Sequence, residues 1–253
     1  MIVTENVSKH FGGFRAIDAL SMSIEPGKIT GLIGPNGAGK TTLFNVIAGA
    51  LAPTAGRVFF DGKDITGLPP HELFHQGLVR TFQIAQEFPT MTCRENLMMV
   101  PSGQRGEHLW NTWFNRRKIA QDEDTLAKQA DQVLEFLTIP HLADQSAGNI
   151  SSGQKKLLEL GRTMMTNAQV VFLDEVGAGV NRTLLNTIIN AVKELNRVHR
   201  YTFLIIEHDM EFIAKICDSV ICMAEGKILA SGSMAELKQN SAVIDAYLGK
   251  TSA

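Results

Sequence analysis

The chain has 253 residues, 44% of them hydrophobic and 20% charged, with a formal net charge of −2. That length allows one large domain or two small ones, and the apolar share excludes a disordered chain. The near-neutral balance argues against a protein that grips nucleic acid through a broad basic face.

In chain order, Ile2–Val7 and Leu20–Ile24 alternate apolar and polar residues and read as half-buried strands. Ile29–Ile33 is a short, nearly continuous apolar run, predicting a buried strand, and Thr41–Ala48 predicts a helix. Gly56–Phe60 reads as another strand, ended by the turn Asp61-Gly62. From Val79 the texture changes. Asp122–Leu137 is charged and amphipathic and predicts a helix stopped before Pro140; Ser152–Met165 predicts a second. Val170–Leu173, Arg182–His199, Thr202–Ile206, Met210–Cys217 and Ser219–Ala224 then alternate strand and helix, which argues for a parallel sheet covered by helices. Ser102–Gln121 is the least patterned stretch and reads as a surface excursion, where Trp110 and Trp113 serve either local packing or docking. The longest apolar runs, such as Phe203–Ile206, fall far short of the ~20 residues a membrane span needs. The first residues lack a basic region followed by an apolar stretch, so no signal peptide is expected. Cys93, Cys217 and Cys222 are odd in number and lack metal spacing, which suits a reducing compartment.

The string Gly34-Pro35-Asn36-Gly37-Ala38-Gly39-Lys40-Thr41 fits G-x-x-x-x-G-K-[ST] between the predicted strand and helix. Glycines let the backbone wrap an anion and turn N–H groups inward; Lys40 adds a cation for outer phosphates, and the Thr41 hydroxyl suits Mg²⁺. Thr42 continues the helix start, where free N–H groups and the helix dipole favour negative charge. A strand ending in Asp174-Glu175 supplies the complementary acids. Ligands collect at the carboxyl ends of strands in an open α/β sheet. Asp174 is suited to hold Mg²⁺, and Glu175 to accept a proton from a water attacking the γ-phosphate.

Ile150-Ser151-Ser152-Gly153-Gln154, followed by two lysines, resembles the L-S-G-G-Q signature of ATP-binding cassette (ABC) proteins. It lies upstream of Asp174 by the separation that family shows. Ser152 and Ile150 depart from the usual glycine and leucine. The resemblance implies a P-loop NTPase of ABC type: an α/β fold with a mixed sheet core, an antiparallel β subdomain and a helical subdomain. It implies a single nucleotide-binding domain over 1–253. About 1–82 and 166–253 would form the catalytic core, and about 83–165 the helical part with the signature. It further implies ATP and Mg²⁺ as ligands, with Ser151, Ser152, Gly153 and Gln154 facing the γ-phosphate of ATP bound to a second ATPase subunit. Gln83 then looks like the glutamine that reaches Mg²⁺ and the attacking water, and His208 like the switch histidine on the γ-phosphate. Phe11 looks like the aromatic that stacks on adenine, with Phe14 as its competitor. Ala178–Asn181 stands where the family has its D-loop, with Val176 in place of a usual proline and Asn181 of a frequent aspartate.

Arg80-Thr-Phe-Gln83, Met91-Thr92, Glu95-Asn96-Leu97, Glu207-His-Asp-Met210 and Ala246-Tyr-Leu-Gly249 narrow the resemblance. They are similar to the larger ATPase of importers for branched-chain amino acids and for related urea, amide and aromatic-acid solutes. That implies two separate permease subunits, an indirect solute-binding partner outside the membrane, peripheral attachment at its cytoplasmic face, and no nucleic acid. The alternative is an ABC ATPase working on ribosomes or DNA. The separation from Thr41 to Ser151 holds no sustained heptads of the coiled coil that DNA-maintenance relatives carry, and the single cassette differs from translation-type chains. The solute, and whether the partner cassette is a second copy or a similar chain, stay open.

Overall fold

A computed structural model describes residues 1–81, 87–107, 113 and 115–248. The strands are β1 (Ile2–Phe11), β2 (Phe14–Ile24), β3 (Ile29–Ile33), β4 (Ala55–Phe60), β5 (Lys63–Asp64), β6 (Leu78–Arg80), β7 (Val170–Asp174), β8 (Thr202–Ile206), β9 (Ser219–Ala224) and β10 (Lys227–Gly232). Among the described residues they make two sheets, one ordered β2-β1-β4-β5 and one ordered β10-β9-β3-β8-β7-β6. The first is antiparallel throughout. In the second, β9, β3, β8, β7 and β6 run parallel and only β10 is antiparallel. The expected mixed core with an antiparallel partner sheet is present.

Every residue of β3, β7 and β8 is buried. Their near-continuous apolar runs are those of parallel strands covered on both faces. Phe44, on the helix Lys40–Ile47, packs on Phe172 of β7 with ring centroids 4.8 Å apart. These rings join Leu32, Leu204, Ile206 and the inward residues of β1, β2 and β4 in one core.

The chain divides into two compact units. The first holds residues 1–83, 168–178 and 192–253 and contains both sheets. The second, residues 84–167 and 179–191, contains the helices Cys93–Met98, Arg116–Phe136 and Ser152–Met164. Within it, a Cβ added at Gly161 would fall 2.8 Å from Leu137 and 3.0 Å from Val133. That glycine therefore sets how closely the two longer helices approach. Arg94 joins the same unit together, pairing with Asp131 at 2.7 Å and also with Asp144.

Several elements differ from expectation. The first hairpin is longer than its alternating segments, because β1 and β2 continue through register shifts to a turn at Gly12-Gly13. The long helix begins at Arg116, inside the stretch expected to be irregular. Trp113 in that stretch is 79% exposed; Trp110 lies outside the described residues. Helices Pro70–His75 and Cys93–Met98 lack enough length for a periodic signal, yet Thr92 and Glu95 form a full capping box at the second. No described helix is long and apolar enough to cross a membrane. Phe172→Ala should remove the ring facing Phe44 and lower stability by about 3–5 kcal/mol, read as a lower urea midpoint.

Candidate functional site

The phosphate loop leaves the end of β3. Gly34 and Gly39 have φ of 150° and 98°, and a Cβ would meet Met223 O at 2.2 Å and Ala16 O at 2.3 Å respectively. No other residue fits those two positions, so the loop is pinned against β9 and β2 at two points. The helix Lys40–Ile47 then starts with no side-chain cap, which leaves first-turn N–H groups for a ligand. Lys40 is 6% exposed and donates from Nζ to Gly34 O at 2.7 Å and Pro35 O at 3.1 Å. Its ammonium is held across the loop it serves.

A cavity of about 230 Å³ opens here, lined by Phe14, Ala16, Asn36, Gly37, Ala38, Gly39, Lys40, Thr41, Thr42, Glu175 and His208. The structure thus gathers the loop, the acid after β7 and the histidine after β8 around one space. Phe11, expected to carry the base, is not in that lining. It pairs with Phe14 across the hairpin turn, so the two rings share a face of the sheet at its tip. Lys9 Nζ sits 5.3 Å from the Phe11 ring centre.

Both acids stand at the end of β7, Asp174 as its last residue and Glu175 directly after it. Asp174 is 4% exposed and receives Arg80 Nη2 at 3.1 Å. Arg80 also reaches Asn45 and lies over the Phe44 ring, with 5.3 Å from Cζ to the ring centre. Arg80 appears in the sequence only as part of a family string; nothing local announces a partner 94 residues away. Glu175 has a left-handed φ of 50°. Its N–H extends the β7–β8 ladder to Ile206 O at 2.9 Å, and its Oε1 lies 2.8 Å from His208 Nε2. The ladder aims the backbone, and the reversal at Glu175 turns the carboxylate toward the histidine.

The fit to a nucleotide rests on this uncapped helix start and glycine cradle. For Mg²⁺, the Thr41 hydroxyl in the lining and the Asp174 carboxylate offer oxygen donors of the class that ion takes. Gln83 lies outside the described residues.

The signature residues sit in the second unit. Ser151 caps the helix Ser152–Met164 in a reciprocal box: its N–H and hydroxyl both reach Gln154 Oε1 at 2.9 Å, and its Oγ accepts the Gln154 N–H. A Cβ at Gly153 would lie 2.2 Å from a Leu184 methyl, so a larger residue there requires that side chain to move. Ser152 Oγ donates to Gly179 O at 3.3 Å, a bond the usual glycine lacks. Asn181 Oδ1 accepts the Leu184 N–H at 2.9 Å, as an aspartate would at a helix start. Val176 is buried at 6% exposure.

The model of the ABC transporter family matches residues 17–178. The chain belongs to that family and is one of its ATP-binding cassettes, the ATPase component. It is 43% identical over 251 residues to the "probable branched-chain amino acid transport ATP-binding protein LivG" of Methanocaldococcus jannaschii, covering 98% of this chain and 96% of that one. It is 41% identical over 249 residues to the protein of the same name from Archaeoglobus fulgidus, covering 98% and 95%. Among solved structures, a nucleotide-free ATP-binding cassette from an ABC transporter aligns with a TM-score of 0.84 at 41% identity, covering 98% of each chain. The family read from Ser151–Gln154 and Asp174-Glu175 is borne out. Gly39→Ala should push a Cβ into the Ala16 carbonyl and lower ATP affinity at least about tenfold, measured by titration with a fluorescent ATP analogue.

Proposed function

We propose that this chain is the ATP-hydrolysing subunit of an importer for branched-chain amino acids or a related small polar solute. It works peripherally at the cytoplasmic face beside two separate permease subunits and closes with a second cassette on bound ATP. The observation that carries the catalytic part is the 2.8 Å contact of Glu175 with His208 beside the phosphate loop. The transport part rests on relatives named for branched-chain amino acid transport over nearly their whole lengths.

Phosphates enter at the helix N-terminus, where backbone N–H groups and Lys40 hold them. The base stacks at the hairpin tip, where Phe14 borders the cavity and Phe11 stands beside it. Thr41 and Asp174 would hold Mg²⁺, with Gln83 added by family resemblance, and the ion neutralises phosphate charge when bound. Glu175 orients the attacking water and takes its proton; His208, hydrogen-bonded to that carboxylate, fixes its direction and faces the γ-phosphate. The helix start at Ser151, with Ser152, Gly153 and Gln154, serves ATP on the partner cassette. Because the Ser151–Gln154 box also engages the N–H groups of both residues, what is left for that partner's phosphate is chiefly the Ser152 and Gly153 N–H groups and the dipole.

Glu175→Gln should retain ATP binding and lower turnover at least about 100-fold, with stable ATP-bound dimers in gel filtration; near-normal turnover would remove Glu175 from the mechanism. Lys40→Ala should instead weaken ATP binding, seen as a raised dissociation constant in a fluorescence titration. Affinity purification from membranes should recover two permease chains, and recovery with ribosomes or DNA alone would overturn the transport reading.

A further inference from the structure

Glu207 is a charged residue that the site as described does not use. It is 5% exposed and is absent from the cavity lining. Both of its carboxylate oxygens are committed to main chain. Oε1 accepts the Gly177 N–H at 2.6 Å, and Oε2 accepts the His208 N–H at 3.2 Å. Gly177 follows Glu175 by two residues, so one side chain ties together the turns that carry both members of the Glu175–His208 pair.

The location explains why a tie is needed. β7 and β8 are in parallel register through Asp174 and Ile206, and the last ladder bond is Glu175 N–H to Ile206 O. The β7–β8 register ends there, and Glu175 sits in a left-handed conformation costly for a residue with a Cβ. A bond from Ala178 N–H to Glu175 O at 3.3 Å closes the acid turn. Burying a carboxylate is expensive, and burial pushes the Glu207 carboxyl up, while the two backbone N–H groups and His208 draw it down against Glu175. A buried acid bonded to both catalytic turns is placed to fix geometry, not to exchange protons with substrate.

We propose that Glu207 is a positioning residue for ATP hydrolysis: its two oxygens clamp the Glu175 and His208 turns and thereby hold their contact. The inference rests on Glu175 acting as the base. It predicts what neighbours in chemical space do. Glutamine keeps the shape but turns an NH₂ group toward one of two backbone donors. Aspartate keeps the charge but is one methylene too short to reach both N–H groups.

The test uses the full-length chain and the variants Glu207→Gln, Glu207→Asp, Glu175→Gln and the double variant Glu175→Gln/Glu207→Gln. Turnover at saturating ATP, KM and the dissociation constant of a fluorescent ATP analogue are measured for each. Glu207→Gln should lower kcat about 10- to 100-fold, since small misplacements of reacting groups cost that much, with KM and nucleotide affinity within about twofold. Glu207→Asp should recover part of the loss, and adding Glu207→Gln to Glu175→Gln should lower turnover by less than about twofold more. Unchanged kcat in Glu207→Gln, or equal loss of kcat and affinity in a folded variant, overturns the proposal. If Glu207→Gln fails to fold, the aspartate variant decides: lowered kcat with kept affinity supports the clamp, and unchanged kcat refutes it. Normal turnover in Glu175→Gln would instead refute the base assignment, a result separate from either.

Discussion

The parallel hydrogen-bond register among β3, β8 and β7 is the constraint on which the site depends. β3 pairs Leu32 with Ile206, and β8 pairs Ile206 with Asp174. Three strands buried along their full length therefore end at one level. The phosphate loop, the histidine turn and the acid turn leave from neighbouring points of a single edge. Side-chain packing beneath, led by Phe44 on Phe172, keeps the helix that follows the loop at fixed height above β7. The chemistry needs groups a few ångströms apart, and a stiff parallel sheet delivers them without any of them being near in sequence.

Rigid strands alone do not finish the job, because the functional residues lie just past the strand ends, where ladder bonds stop. The structure replaces those bonds by other means. Gly34 and Gly39 press against carbonyls of neighbouring strands. Lys40 reaches back to the carbonyls of Gly34 and Pro35. Each device converts a loop that would otherwise cost entropy to order into one with few alternatives. In the second unit the same principle appears as a capping box at Ser151 and Gln154, and as Gly153 packed on Leu184.

What the sequence disclosed follows from how local each feature is. Gly34–Thr41 was legible because a phosphate cradle, its cation and its helix are contiguous. β7 and β8 were legible as apolar runs, and the alternation after Val170 gave the parallel sheet. The unread parts depend on distance or on short length. Arg80 meets Asp174 and Asn45 across 94 and 35 residues, and Glu207 meets Gly177 across 30. The place of Phe14 beside the cavity is set by register shifts in the β1–β2 hairpin, which composition does not encode. β5 and β6 are two and three residues long, too short for any period to emerge. The Thr92–Glu95 box was in plain view as T-x-x-E, and only the brevity of its helix concealed it.

The ion pair between Arg80 and Asp174 bears on how the fold tolerates a buried acid. A carboxylate only 4% exposed is an electrostatic liability whenever no cation faces it. Arg80 is a resident counter-ion, bound to the chain and delivered from the strand beside β7. The end of β7 thus carries its counter-charge within the fold itself, supplied by its neighbouring strand.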